Sequence, residues 1–308
     1  MSGIHKYLIV VTGPTASGKT DLAIQLAQHF QTEIISADSR QCYRELKIGV
    51  AAPSAEQLAA VPHHFIQSHS IHETVTAATF EQYALQVLER LFVTHNVVVL
   101  TGGTGLYIKA LCEGMDAIPP VDPHIRNEVQ QSYALQGIAW LQQQLQMHDS
   151  LFAEKGEMQN PQRMMRALEV VRQTGRSIRS FHSGKKANRN FQCIYLALDL
   201  PREQLYQRIN QRVDHMMQQG LLEEARQLYP FRHLNALQTV GYQELFAYFD
   251  NTCTLDEAVA AIKTNTRRYA KRQLTWLRHR QPLQWFAPQA LEAMLHYIQA
   301  QMQQPDYC

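Results

Sequence analysis

The chain has 308 residues, 45% apolar and 18% charged, with a formal net charge of +2, an ordinary balance for a soluble enzyme that selects no class. No stretch approaches the ~20 apolar residues of a membrane span. The five cysteines (Cys42, Cys112, Cys193, Cys253 and Cys308) are scattered without a C-x-x-C pair, which argues against disulfides and a zinc site and for a reducing cytoplasm.

The apolar run in MSGIHKYLIVV is too short for a signal peptide and reads as a first strand. It is continuous, as a strand covered on both faces should be. Gly13, Pro14, Thr15, Ala16, Ser17, Gly18, Lys19 and Thr20 then fit G-x-x-x-x-G-K-[ST], with a strand before and a helix after. The glycines let backbone amides and the helix N-terminus point at phosphate oxygens. Lys19 adds positive charge, and the Thr20 hydroxyl is a candidate ligand for Mg2+. Such a loop recognises phosphate and is indifferent to what the phosphate is attached to.

DLAIQLAQHF sets Leu22, Ile24, Leu26, Ala27 and Phe30 largely on one helical face. EIISADSR is a second short strand, and it leaves Asp38, Ser39, Arg40 and Gln41 at the carboxyl edge of the sheet, where ligands bind in such folds. Asp38 reads equally as a turn cap, as a general base, or as a carboxylate one step removed from a magnesium ion. His63 and His64 have no metal-ligand spacing and read as a polar strand edge or loop. FEQYALQVLERLFVTH is a helix, and NVVVLTGGTGLYIKAL repeats strand, glycine turn and helix. P-loop hydrolases usually end a hydrophobic strand in an acid that serves magnesium. Here Leu100 is followed by Thr101-Gly102-Gly103-Thr104-Gly105, which weakens a nucleotide-hydrolase reading. A Thr between glycines can present its hydroxyl and amide to an oxyanion.

Asp122-Pro123 and Asn160-Pro161 each pair an N-cap with Pro at the first helical position. Helical patterns continue until the strand-like FQCIYLALDL, residues 191–200. Pro201 opens another helix, in which Arg208 and Arg212 lie four apart, placed either to pair with acids or to clamp a diphosphate. Met216 and Met217 read as core. Thr254 and Glu257 form a capping box for a long basic helix, and the tail QQPDYC is expected to be loosely held. The expected fold class is α/β: a P-loop NTPase-like, doubly wound parallel sheet with an inserted helical domain and a helical C-terminal region. The divisions are 1–115 for the first part of the core, 116–190 for the insertion, and 191–308 for the last core strand and C-terminal helices.

Two basic runs break the near-neutral balance. Residues 162–190 carry eight Lys or Arg (Arg163, Arg166, Arg172, Arg176, Arg179, Lys185, Lys186, Arg189) against Glu169 alone. Residues 263–280 carry seven (Lys263, Arg267, Arg268, Lys271, Arg272, Arg278, Arg280) and no acid, interleaved with Tyr269 and Trp276. Runs of this kind are either solvated faces or the footprint of a polyanion.

Six segments occur in order: GPTASGKT, DSRQ-x-Y (38–43), TGGTGLY (101–107), NPQRMMRALEV (160–170) with TGR (174–176), LPREQLYQRINQRVDHMMQQGLLEE (200–224), and TVGYQE (239–244) ahead of Trp276-Leu277-Arg278. This set resembles the bacterial tRNA dimethylallyltransferases, or isopentenyl-tRNA transferases, over roughly residues 7–286. The resemblance implies transfer of a dimethylallyl group from dimethylallyl diphosphate to N6 of the adenine immediately 3′ of the anticodon, in tRNAs reading codons that begin with U. It implies an enzyme that binds the diphosphate on the P-loop, Gly13 to Thr20, with Mg2+ assisting through Thr20; nothing in the sequence requires more than a monomer. Asp38, Thr104, Lys19 and Arg212 (or else Arg208) would carry the chemistry. Asp38, Ser39, Arg40, Gln41, Thr104, Arg126, Gln162, Arg163, Met164, Met165 and Arg166 would face the tRNA anticodon stem-loop. One position departs from the family pattern: Ile48-Gly49-Val50-Ala51-Ala52-Pro53 has Ala52 where a Lys is common. A P-loop small-molecule or nucleoside kinase would share the fold, but leaves both basic runs unexplained. An RNA-binding module with a vestigial loop is opposed by the intact Lys19-Thr20 pair.

Overall fold

A computed structural model describes residues 5–279 and 283–303. Arg280, Cys308 and the QQPDYC tail beyond Gln303 lie outside the described residues. The chain forms two compact units, Met1–Glu113 with Asn188–Cys308, and Gly114–Ala187.

The first unit opens with β1 (Tyr7–Thr12), α1 (Lys19–His29), β2 (Ile34–Ser36), α2 (Ala55–Ala60) and β3 (His63–His64). It continues through α3 (Ala77–Thr94), β4 (Val97–Thr101) and α4 (Gly105–Glu113). The second unit holds α5 (Pro123–His148), α6 (Ser150–Lys155) and α7 (Pro161–Thr174). The chain then returns with β5 (Gln192–Leu198), α8 (Arg202–Gln218), α9 (Leu221–Leu228), α10 (Tyr242–Phe249), α11 (Leu255–Arg278), β6 (Gln284–Phe286) and α12 (Leu291–Gln303).

The sheet is parallel throughout, in the order β3-β2-β4-β1-β5-β6. Its central strands are apolar on both faces because both are covered. Leu8, Val10, Ile35, Val98 and Leu100 pack under α3, α4, α9 and α10. The alternate residues Ile9, Val11, Ile34, Val97 and Val99 pack under α1 and α12. The result is the three-layer, doubly wound P-loop arrangement. His63 and His64 form the edge strand, and β6, which has no sequence signal beyond three residues, forms the other edge.

Local chemistry sets the helix starts. Asp122 and Asn160 cap α5 and α7 with Pro at the first position, and Thr254 with Glu257 boxes α11. Pro201 stands at the N-cap of α8, one residue before the helix proper. Within the second unit α5 is broken at Gly137, and its core gathers Leu141, Leu145, Phe152, Met164 and Leu168.

Candidate active site

The carboxyl ends of β1, β2 and β4 share one edge of the sheet: Ser36 pairs with Thr101, and Thr101 with Val11. The P-loop, Asp38 and the glycine turn are therefore neighbours, although they are up to 90 residues apart in sequence. They line one cleft of about 690 Å3, within the range of small-ligand sites.

The P-loop turns into α1 through Gly18, whose φ of 94° lies where side chains other than glycine are strained. Gly18 offers no capping side chain, whereas α2, α3 and α11 all begin with capping boxes. The first amides of α1 and the positive end of its dipole are left for a ligand. Ser17 Oγ is buried in the loop with no hydrogen-bond partner among the described residues, a donor that a phosphate oxygen would satisfy. Lys19 Nζ curls back to the Pro14 carbonyl at 2.6 Å. Burial, and then the charge of Arg212, push its pKa down to about 7 from 10.5, with Asp38 opposing. Arg212 reaches Thr15 Oγ1 at 3.5 Å from α8, and burial lowers its pKa as well. Neither cation has an ion-pair partner among the described residues. Two half-buried, mutually repelling cations beside free amides make a site for a multiply charged anion. Arg208 lies near Gly18, on the same helix face as Arg212.

Opposite this, Asp38 Oδ1 accepts the amides of Arg40 (2.9 Å) and Gln41 (3.2 Å). The turn-cap role is real, and the carboxylate also lines the cleft. Thr104 Oγ1 accepts the Ser39 amide (3.0 Å) and donates to Ser39 Oγ (3.3 Å), while its own amide bonds Ala37 O. The two turns approach so closely that a Cβ on Gly102 would sit 2.2 Å from the Ala37 carbonyl oxygen. An acid at the end of β4 has no place here: the site carboxylate comes from β2.

Gln41 points its amide at the Val50 and Ala51 carbonyls, holding the 48–52 loop against the cleft. Glu224 anchors that loop from behind, accepting the amides of Lys47, Ile48 and Gly49 and the hydroxyl of Tyr242. The TVGYQE segment is thus a support for the cleft wall. Glu224→Ala is expected to strand these donors, costing about 2–4 kcal/mol of stability. A lowered denaturation midpoint with an unchanged denaturant slope checks it. Ala52 lines the cleft with Lys47, whose carbonyl accepts the Ala52 amide, so an exposed Lys stands at the same turn.

Arg40 bonds Asn235, at 2.9 Å to its carbonyl. In the second unit Arg126 and Arg166 converge on buried Glu169, at 3.7 and 3.3 Å. Gln162 and Arg163 are exposed, and Arg163 pairs with Glu157. Met164 and Met165 are buried in that unit's core, so their side chains have no surface to offer an RNA.

Residues 41–280 match the family model IPP transferase. A tRNA dimethylallyltransferase of Christiangramia forsetii is 51% identical over 283 residues, covering 92% of this chain and 94% of that protein. The chain belongs to the tRNA dimethylallyltransferase family. A tRNA dimethylallyltransferase of Flavobacterium johnsoniae is 50% identical over 95% of this chain and 97% of that one. The crystal structure of a tRNA isopentenylpyrophosphate transferase from Bacillus halodurans superposes with a TM-score of 0.72 at 33% identity, covering 96% of this chain and 97% of that one.

Membership in the tRNA dimethylallyltransferase family gives the unpaired cations and the absent β4 acid a common sense. The cleft also contains residues that the sequence did not assign to it; Met216, read there as core, is half-buried and lines the cleft. Tyr269 lines it, with burial and the charge of Asp38 pushing its pKa up to about 12. Gln273, Met216 and Gln219 line it too. Of these only Gln273 is buried, and helical periodicity does not name what a half-exposed side chain touches.

The basic runs divide. Arg189 is folded inward onto Glu81 and the carbonyls of Ala110 and Leu111, a structural clasp. Lys263 pairs with Asp214, and Arg267 bonds Asn210, tying α11 to α8. Lys271 and Arg272 stay exposed and, with Thr275, Trp276 and His279, line a separate hollow of about 450 Å3.

Proposed function

We propose that this protein transfers the dimethylallyl group of dimethylallyl diphosphate to N6 of the adenine 3′-adjacent to the anticodon, in tRNAs reading codons beginning with U. The observation that carries the reading is the pair of half-buried cations without ion-pair partners among the described residues, Lys19 and Arg212, lining one cleft with Asp38, while Thr104 braces the Asp38 turn through Ser39. The C1–O bond of the donor breaks and the C1–N6 bond forms. The electron pair leaves with diphosphate, and the N6 proton passes to Asp38. Charge grows on the leaving oxygens, where the loop amides, Lys19 and Arg212 stabilise it. The amino group is a poor nucleophile, and a carboxylate within reach removes its proton as the bond forms. The adenine must leave its stack to enter the cleft.

No trio of His, Cys, Asp or Glu among the described residues forms a metal cage. The Thr20 hydroxyl, half-buried at the start of α1, fits the other way of holding Mg2+, in which phosphate oxygens and water supply most ligands. The ion would neutralise diphosphate charge there. Gln162, Arg163 and Arg166 with Arg126 on the second unit, and Lys271 and Arg272 on α11, are the cations and amides assigned to the anticodon stem-loop backbone. The reading takes a monomer as the working form. No described helix is long and apolar enough to cross a membrane. The reading puts the reaction in the cytoplasm, with its tRNA.

The test is incubation with unmodified tRNA, Mg2+ and dimethylallyl diphosphate, followed by nucleoside mass spectrometry. Prenylated adenosine in place of adenosine next to the anticodon is expected. Its absence, with ATP-dependent phosphorylation of a small hydroxyl acceptor instead, overturns the reading.

A further inference from the structure

Gln273 is a buried amide on the sixth turn of α11, 9% exposed, with both ends of its side chain in use. The Thr15 amide of the P-loop donates to its Oε1 at 2.8 Å, and its Nε2 donates to the Gly103 carbonyl of the glycine turn at 3.0 Å. A backbone N–H can only donate and a carbonyl can only accept, so these partners fix the orientation of the amide. The backbone offers little else at this level. Gly102 N–H reaches Val11 O at 3.3 Å, and Thr12 Oγ1 reaches Gly102 O at 3.4 Å. The short bonds between the two segments come from a side chain more than 150 residues away from either.

We infer that Gln273 is a positioning residue that holds the phosphate loop and the Thr104 turn in register with each other. The inference rests on the proposed transfer reaction. One segment holds the departing oxygens and the other stands beside the nucleophile, so the gap between them is the reaction distance. A misplacement of about 1 Å in such a gap costs about 10²-fold in rate. Gln273 acts through Thr15 and Gly103. Gly103 is matched to it, since a Cβ there would come within 2.4 Å of Nε2.

Three variants test this: Gln273→Met, which keeps the volume and loses both bonds, Gly103→Ala, which displaces the amide from the other side, and the double substitution. Each single variant is expected to lower kcat about 10–100-fold with the tRNA Kd within about threefold of wild type. The double variant should be no more than about threefold worse than the poorer single one, because both cut the same tie. Retention of kcat within about threefold in either single variant, or losses that multiply in the double, overturns the inference. If Gln273→Met melts far below wild type, Gly103→Ala decides alone. Inorganic pyrophosphate binding, measured by calorimetry without RNA, separates this inference from the functional reading. A wild-type protein that prenylates nothing refutes that reading. Gln273→Met must still weaken pyrophosphate binding several-fold if the loop is held by this amide, and an unchanged affinity refutes the tie.

Discussion

Lys19→Met is expected to reduce kcat/KM for prenyl transfer by about 10³-fold, while raising the melting temperature of the ligand-free protein at acidic to neutral pH. The two effects have one cause. Burial and the neighbouring Arg212 hold the Lys19 pKa at about 7 in the folded chain, against 10.5 for an ordinary lysine. The folded state therefore resists the proton that the unfolded chain binds readily. Below pH 7 that penalty is fully present. Between pH 7 and 10.5 the unfolded state binds more protons, so stability rises with pH as the penalty is released. Methionine removes the penalty and gives up one hydrogen bond to Pro14, worth about 1 kcal/mol. The gain in melting temperature should be largest below pH 7 and shrink toward pH 10.5. Diphosphate reverses the balance, since a bound polyanion favours the ammonium, and binding above pH 7 should take up a proton. Calorimetry in buffers of different ionisation enthalpy reads that proton. A variant that melts lower than wild type at pH 6, or keeps transfer within tenfold, would show that Lys19 is a structural lysine.

Asp38→Asn should lower transfer by about 10²–10⁴-fold and leave the tRNA Kd within about threefold. The amide oxygen of Asn can still accept the Arg40 and Gln41 amides, so the turn survives and only the proton acceptor is lost. Asp38→Ala should be equally inactive, with some loosening of the turn. Filter binding on unmodified tRNA separates the outcomes. If Asp38→Asn loses tRNA affinity in proportion to its rate, the carboxylate is a recognition group and the base must be sought elsewhere.

What could be read from the sequence follows the range of the forces involved. The P-loop, the proline-led caps at Asp122 and Asn160, and the Thr254 box are decided within a few residues, and each is visible as a local pattern. The assembly of Asp38 with Thr104 follows from topology, because parallel strands bring their carboxyl ends to one edge. Gln273 and Glu224 were not legible. A lone amide or carboxylate on a helix has no signature until its partners arrive from 170 to 258 residues away. The eight cations of residues 162–190 read as one run, yet Arg189 folds inward onto half-buried Glu81 and two backbone carbonyls, while Arg163 stays exposed. Charge counts register composition, and burial decides use.

Arg189 has a consequence for how this chain can be varied. Its guanidinium grips the carbonyls of Ala110 and Leu111, just before the chain leaves the α/β unit at Glu113, and it sits one residue after the chain re-enters at Asn188. Gly114 and Ala187 are already side by side, with a Cβ on the glycine falling 2.7 Å from the alanine methyl. The exit and entry points are stapled together independently of everything between them. The 114–187 segment is therefore a cassette on a closed stem, exchangeable for another length of chain without reopening the sheet. In the proposed reaction such an exchange alters the cations Arg126, Arg163 and Arg166 assigned to the tRNA and leaves the phosphate loop as it is.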